Sequence, residues 1–151
     1  MEVSMVKVEE FELKEDLYYW RKGHTWAKIE SKDRVRVGMD DVGVKSAGEI
    51  VFVRLKPKGA KVKQGDALGV LESAKWVGPI ESPVSGEIVE VNEQLRKQPK
   101  LLMSSPYSDG WIAVIKPSNL EADTANLLKG SDPQAVEWYK KEIEEKVRKK
   151  K

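Results

Sequence analysis

Apolar and polar positions alternate in short stretches over most of the chain up to Ile115, the pattern of half-buried strands. His24-Thr25-Trp26-Ala27-Lys28-Ile29 and Asp33-Arg34-Val35-Arg36-Val37-Gly38 predict two strands, entered through the aromatic cluster Tyr18-Tyr19-Trp20. Val6-Lys7-Val8-Glu9 and Phe11-Glu12-Leu13 alternate more briefly, and predict an edge strand or extended arm within residues 1–17. Met39 to Ser46 predicts a short helix capped by Asp40 or Asp41 and weakened by Gly43. Turns are expected at Leu55-Lys56-Pro57-Lys58-Gly59 and at Gly65-Asp66, where glycine supplies positive φ. Leu95 to Ser105, around Pro99, reads as loop, and Pro106 to Gly110 as a tight turn before a final strand ending at Ile115.

The hexapeptide Gly48-Glu49-Ile50-Val51-Phe52-Val53 returns as Gly86-Glu87-Ile88-Val89-Glu90-Val91, 38 residues later. Two similar β units, each with one apolar face, can bury those faces against each other. Midway between them, Val70-Leu71 and Val77 to Ile80 predict strands that turn back on each other through Ser73-Ala74-Lys75. No Asn-Gly or Asp-Gly is present to name the turn type. Lys75 therefore sits at a hairpin tip, where a flexible amine is open to covalent loading by another enzyme.

After Ile115 the period changes. Ser118-Asn119-Leu120-Glu121 has capping-box spacing, predicting a helix that stops at Gly130. Ser131-Asp132-Pro133 opens a second helix, with a stripe of Val136, Tyr139 (or Lys140), Ile143 and Val147 leaning on the paired β units. Glu137 with Lys141, and Glu142 with Lys146, are spaced as exposed ion pairs.

Composition narrows the chemistry. With 151 residues, 40% hydrophobic and 34% charged, the chain suits one soluble domain, and a net charge of +2 gives no case for nucleic acid. The basic end, Lys146 to Lys151 with only Val147 uncharged, reads as a solvated, fraying helix end. No apolar run approaches the roughly 18 residues of a membrane span, and the acidic N-terminus is unlike a signal peptide. The absence of cysteine fits a cytoplasmic protein and excludes thiolate metal sites and any thiol chemistry by the polypeptide itself. High Lys and Glu, with few Asn and Gln, would suit a thermophile. His24, the sole histidine, has no ligand cluster around it and is expected to be packed and hydrogen-bonded. No Ser-His-Asp or Cys-His set and no marked acidic pair is present, so no catalytic residue and no metal site are assigned.

Glu72-Ser73-Ala74-Lys75 followed by Ser82-Pro83-Val84-Ser85-Gly86-Glu87-Ile88 resembles the lipoyl-lysine hairpin of the glycine cleavage system H protein family. His24-Thr25-Trp26 with Val35-Arg36-Val37-Gly38, and Pro106-Tyr107-Ser108-Asp109-Gly110-Trp111, extend the resemblance over roughly Tyr18 to Ile143. Biotin carriers share the hairpin, but there the lysine lies between two methionines; here it lies between Ala74 and Trp76. The resemblance implies a mainly β fold, a quasi-symmetric biotinyl/lipoyl-type sandwich (barrel-sandwich hybrid) with C-terminal α-helices. The expected division is an arm over 1–17, the sandwich over 18–117 and helices over 118–151 packed on the same domain.

The resemblance also implies a non-catalytic carrier, with lipoate in amide linkage at Lys75 and with Glu72, Ser73 and Ala74 recognised by a lipoate ligase or lipoyl/octanoyl transferase. Such a carrier would take the aminomethyl group from glycine decarboxylase to the aminomethyltransferase, and pass electrons to dihydrolipoyl dehydrogenase. Tethering the dithiolane raises its effective concentration at each active site. Two positions depart from the family: Trp76 stands where a small residue is usual, and Pro79 where an acidic one is. Trp76 is a candidate for partner docking. The same stretch is similar to H-like lipoate-binding proteins that carry sulfur intermediates for a heterodisulfide-reductase-like sulfur-oxidation complex. An unmodified H-like binding scaffold is the reading from another class.

Overall fold

The computed structural model describes residues 5–148. The chain opens with a hairpin of β1 (Met5–Val8) and β2 (Phe11–Lys14), followed by β3 (Tyr18–Trp20), β4 (Thr25–Ser31), β5 (Arg34–Met39) and helix α1 (Asp41–Ala47). Next come β6 (Ile50–Leu55), β7 (Lys61–Val62), β8 (Ala67–Ser73), β9 (Val77–Glu81) and β10 (Gly86–Val91). Short helices α2 (Gln94–Lys97) and α3 (Leu101–Ser104) precede β11 (Ala113–Pro117), α4 (Leu120–Thr124), β12 (Leu128–Lys129) and α5 (Pro133–Glu142). A π-helical segment, Ile143–Arg148, continues α5.

Two sheets face each other: a seven-stranded one in the order β12-β3-β4-β5-β11-β10-β7, and a three-stranded one in the order β6-β8-β9. Ala27, Val35, Val37, Ile88 and Ile115 from the first meet Ile50, Val53, Leu71 and Ile80 from the second in the main core. The hexapeptide repeat is visible as structure. Its first copy begins β6 and its second forms β10, so each lies in a different sheet. Both strands slip register at the same place, between Ile50 and Phe52 and between Ile88 and Glu90. A register shift at the matching position of each copy fits a quasi-symmetric pair.

Residues 5–14 are not an extended arm. Val8 lies opposite Phe11 across a tight turn, and Val8, Phe11 and Leu13 are buried. They join Tyr19, Trp26, Val42, Tyr139 and Ile143 in a second core beneath α5. The presumed loop of residues 95–105 contains two single-turn helices, each burying one leucine, Leu95 and Leu102. The long helix expected before Gly130 does not form. Asn119 makes no side-chain cap, α4 stops at Thr124, and Leu128 pairs with Tyr19 in a strand that follows β11. Gly130 serves close approach and not helix termination, since a Cβ there would lie 1.9 Å from the Lys14 carbonyl oxygen.

Helix α5 starts where the sequence indicates, with Asp132 accepting from the Gln134 amide and Pro133 in the first turn. Tyr139 and Ile143 of its stripe are buried. The expected surface pairs rearrange: Glu137 faces Lys140, and Glu142 turns inward to His24. Of the basic end, Arg148 pairs with Glu9 and Glu10 on the β1–β2 turn, while residues 149–151 lie outside the described residues.

Candidate functional site

The β8–β9 hairpin holds Glu72 opposite Val77 and closes through Ala74 and Lys75. The Ser73 amide donates to the Trp76 carbonyl at 2.8 Å, and the Ser73 hydroxyl accepts from the Lys75 amide at 3.3 Å. The Ala74 amide donates to the Glu49 carbonyl at 3.2 Å, which ties the tip to the start of β6. Among the described residues, only Glu9 and His24 are non-glycine positions with positive φ. The turn is therefore not of type I′ or II′, which explains the absence of an Asn-Gly or Asp-Gly signal.

Lys75, Ala74 and Glu72 are exposed, whereas Ser73 is buried with its hydroxyl committed to the turn. Ser73 thus shapes the tip, with its hydroxyl bonded within the turn. The indole of Trp76 folds back over Gly78, where an added Cβ would meet the ring at 2.1 Å, yet 41% of the residue remains exposed. It covers the hairpin and stays accessible at once.

Beside the tip lies a groove of about 230 Å³, lined among others by Trp76, Pro79, Glu81, Lys22, His24 and Lys146. Glu81 accepts from the Trp20 indole N–H at 2.7 Å. His24 forms the floor. Its Nδ1 lies 2.8 Å from Asp40 Oδ2, its Nε2 lies 2.7 Å from Glu142 Oε1, and its ring stacks on Trp138. Burial pushes the imidazole toward its neutral form, but Asp40 and Glu142 outweigh it and raise the pKa to about 9. Asp40 also caps α1 by accepting from the Gly43 amide at 2.8 Å. The sequence marked His24 as packed and hydrogen-bonded, and it is. It could not mark Glu142, because the two residues are 118 positions apart.

Among the described residues, no group of three or more His, Cys, Asp or Glu could hold a metal ion. No helix of the described residues is long and apolar enough to cross a membrane. The arrangement offers an exposed primary amine on a short, well-tied turn, with a groove next to it. An acyl group of lipoate type fits this donor, because the amine projects into solvent while the backbone beneath it is fixed.

The glycine cleavage H-protein family model matches residues 17–143. This chain belongs to that family. Glycine cleavage system H protein 2 of Aquifex aeolicus is 43% identical over 141 residues, spanning 91% of this chain and 86% of that protein. Probable glycine cleavage system H protein 2 of Sulfolobus acidocaldarius is 44% identical over 141 residues, spanning 92% and 93%. The crystal structure of a glycine cleavage system H protein from Mycobacterium marinum superposes with a TM-score of 0.72 at 32% identity, covering 84% of this chain and 96% of that one. The mainly β fold with small C-terminal helices is the family's fold.

Proposed function

We propose that this H-family protein is the lipoate carrier of a cytoplasmic glycine cleavage system, with lipoate amide-linked to Lys75. The observation that carries this reading is the exposed Lys75 amine on a tip held by the backbone bonds of Ser73 and Ala74. Bound there, lipoate would supply a dithiolane able to take up the one-carbon cargo and the electrons of glycine cleavage. The chain's own residues do the positioning. Ser73 fixes the turn, Ala74 locks it to β6, and Glu72 offers an exposed carboxylate three residues before the amine to the lipoate ligase or lipoyl/octanoyl transferase.

Glycine decarboxylase, the aminomethyltransferase and dihydrolipoyl dehydrogenase are the partners this role requires. The chain is a substrate of these enzymes and not a catalyst. Trp76, partly exposed at the groove's edge, is placed to meet a partner's entrance. Neither the sulfur-carrier reading nor an unmodified scaffold gains support from the relatives' names.

The test is peptide mass mapping after incubation with lipoate, ATP and a lipoate–protein ligase. Lipoate should be found on Lys75 alone, and Lys75→Arg should abolish loading with an unchanged melting temperature. A lipoyl group on another lysine, or loading of the arginine variant, rejects the assignment.

A further inference from the structure

The two sheets treat solvent differently. On the seven-stranded sheet the exposed or half-exposed face carries charge: Glu30 bonds both Arg34 and Arg36, and Arg34 reaches Glu90. An antiparallel sheet with one wet face is expected to look like this. The three-stranded sheet does not. Its inner face buries Val53, Leu71 and Ile80, yet its outer face presents Phe52, 41% exposed, and Val77, 62% exposed. Cross-strand register aligns Phe52, Glu72 and Val77 in one row, with Arg54, Val70 and Pro79 in the next. Of the six large hydrophobic residues exposed among those described, five lie on β6 or on the β8–β9 hairpin; Ile29 is the exception. An apolar patch with an exposed acid and an arginine within it has the composition of a docking surface.

The patch is continuous with the amine. Its first row ends at Val77, two residues from Lys75, and Glu72 stands in the middle of that row. Trp76 folds back over Gly78 on the groove side, and Pro79 is where the patch and the groove meet. Reach identifies the occupant. A lysine side chain extends only about 6 Å from Cα to Nζ, so an enzyme that acylates it must bring its own walls against the hairpin. Enzymes that work at the far end of a lipoyl-lysine reach across roughly 14 Å of chain and can stand clear of the sheet.

Resting on the carrier reading above, we propose that the outer face of the three-stranded sheet is the docking surface for the enzyme that acylates Lys75. That partner presents an apolar rim to Phe52, Val70 and Val77, a cation to Glu72 and a carboxylate to Arg54. In the transfer from an acyl-adenylate, the Lys75 nitrogen bonds to the acyl carbon and the acyl–phosphate bond breaks. AMP leaves, and the two protons lost by the ammonium pass to solvent; nothing is oxidised or reduced.

The test follows loading of the apo-protein by intact mass, with lipoate, ATP and a lipoate–protein ligase, as a function of carrier concentration. Phe52→Gln and the near-isosteric Val77→Thr should each raise the KM for the carrier about tenfold, leaving kcat within about twofold. Melting temperature should be unchanged, and Ile29→Gln on the other sheet should load normally. Unchanged KM in both variants overturns the docking surface, as does an equal effect from Ile29→Gln. A wild-type dimer that Phe52→Gln dissociates overturns it in favour of a second copy. Normal loading of the variants with slower turnover of the loaded forms by glycine decarboxylase overturns it in favour of that enzyme. A wild-type chain never acylated at Lys75 overturns the carrier reading itself, and the docking surface with it.

Discussion

At the scale of single residues, His24 shows how a lone titratable group can be legible in sequence while its distant partner, Glu142, is not. It takes a left-handed φ of 55° and bridges the α1 cap, through Asp40, to the end of α5, through Glu142. The folded protein holds the imidazole proton more tightly than the unfolded chain, where the ordinary value is 6.5. His24 therefore contributes its full stabilisation below about pH 6.5 and loses it as pH rises through about 9. Glu142 behaves oppositely. Its hydrogen bond from His24 lowers its pKa from 4.5, so its contribution is present above that value and fades as pH falls through the lower folded one. The free energy of unfolding should thus decline between pH 6.5 and 9, by an amount on the order of 3 kcal/mol from His24. In His24→Gln that decline should vanish, and chemical denaturation across this range measures it. A slope retained in the glutamine variant would assign it to another group.

At the scale of elements, what the sequence made legible was whatever repeats or alternates. The β8–β9 hairpin, the paired β6 and β10 copies and the α1 cap all follow from local pattern, and so does the tip that exposes Lys75. Single-turn helices such as α2 and α3 fall below the length at which a helical period can be counted, so a loop was the natural expectation there. The two-residue strand β12 arises from pairing with β3, a tertiary cause that overrides the helical cap spacing at Ser118. Gly43 illustrates the same limit inside α1. Propensity marks it as a weakness, since alanine is favoured there by about 1 kcal/mol. The structure gives the reason for glycine, because a Cβ at that position would lie 2.7 Å from His24 Cβ. Gly43→Ala should accordingly lower stability by about 1–3 kcal/mol despite the better helix former, and would push on the groove floor. Thermal melts decide the sign: a stabilised alanine variant would mean that α1 rides free of His24.

For the whole molecule, the decisive feature is that two cores carry two duties. The main core, between the sheets, supports the lysine hairpin, whereas the second joins the N-terminal hairpin, α1 and α5. A hydroxyl hub links those outer pieces. Tyr107 and Tyr139 both donate to the Glu12 carbonyl at 2.8 Å, and they accept from the Asp41 and Val42 amides. Burial raises both phenol pKa values well above 10, so the hydroxyls stay protonated and able to donate. Tyr139→Phe keeps the ring but strips the Val42 amide of its acceptor, and should cost about 1–3 kcal/mol of stability. Combined with Tyr107→Phe the loss should be less than additive, because the two hydroxyls also contact each other at 3.1 Å. Lys75 hangs from the other core, so both variants should accept lipoate at the wild-type rate well below their melting temperatures. Slower loading by the folded Tyr139→Phe protein would show that the second core governs the hairpin after all, through the Glu142–His24 contact at the groove floor.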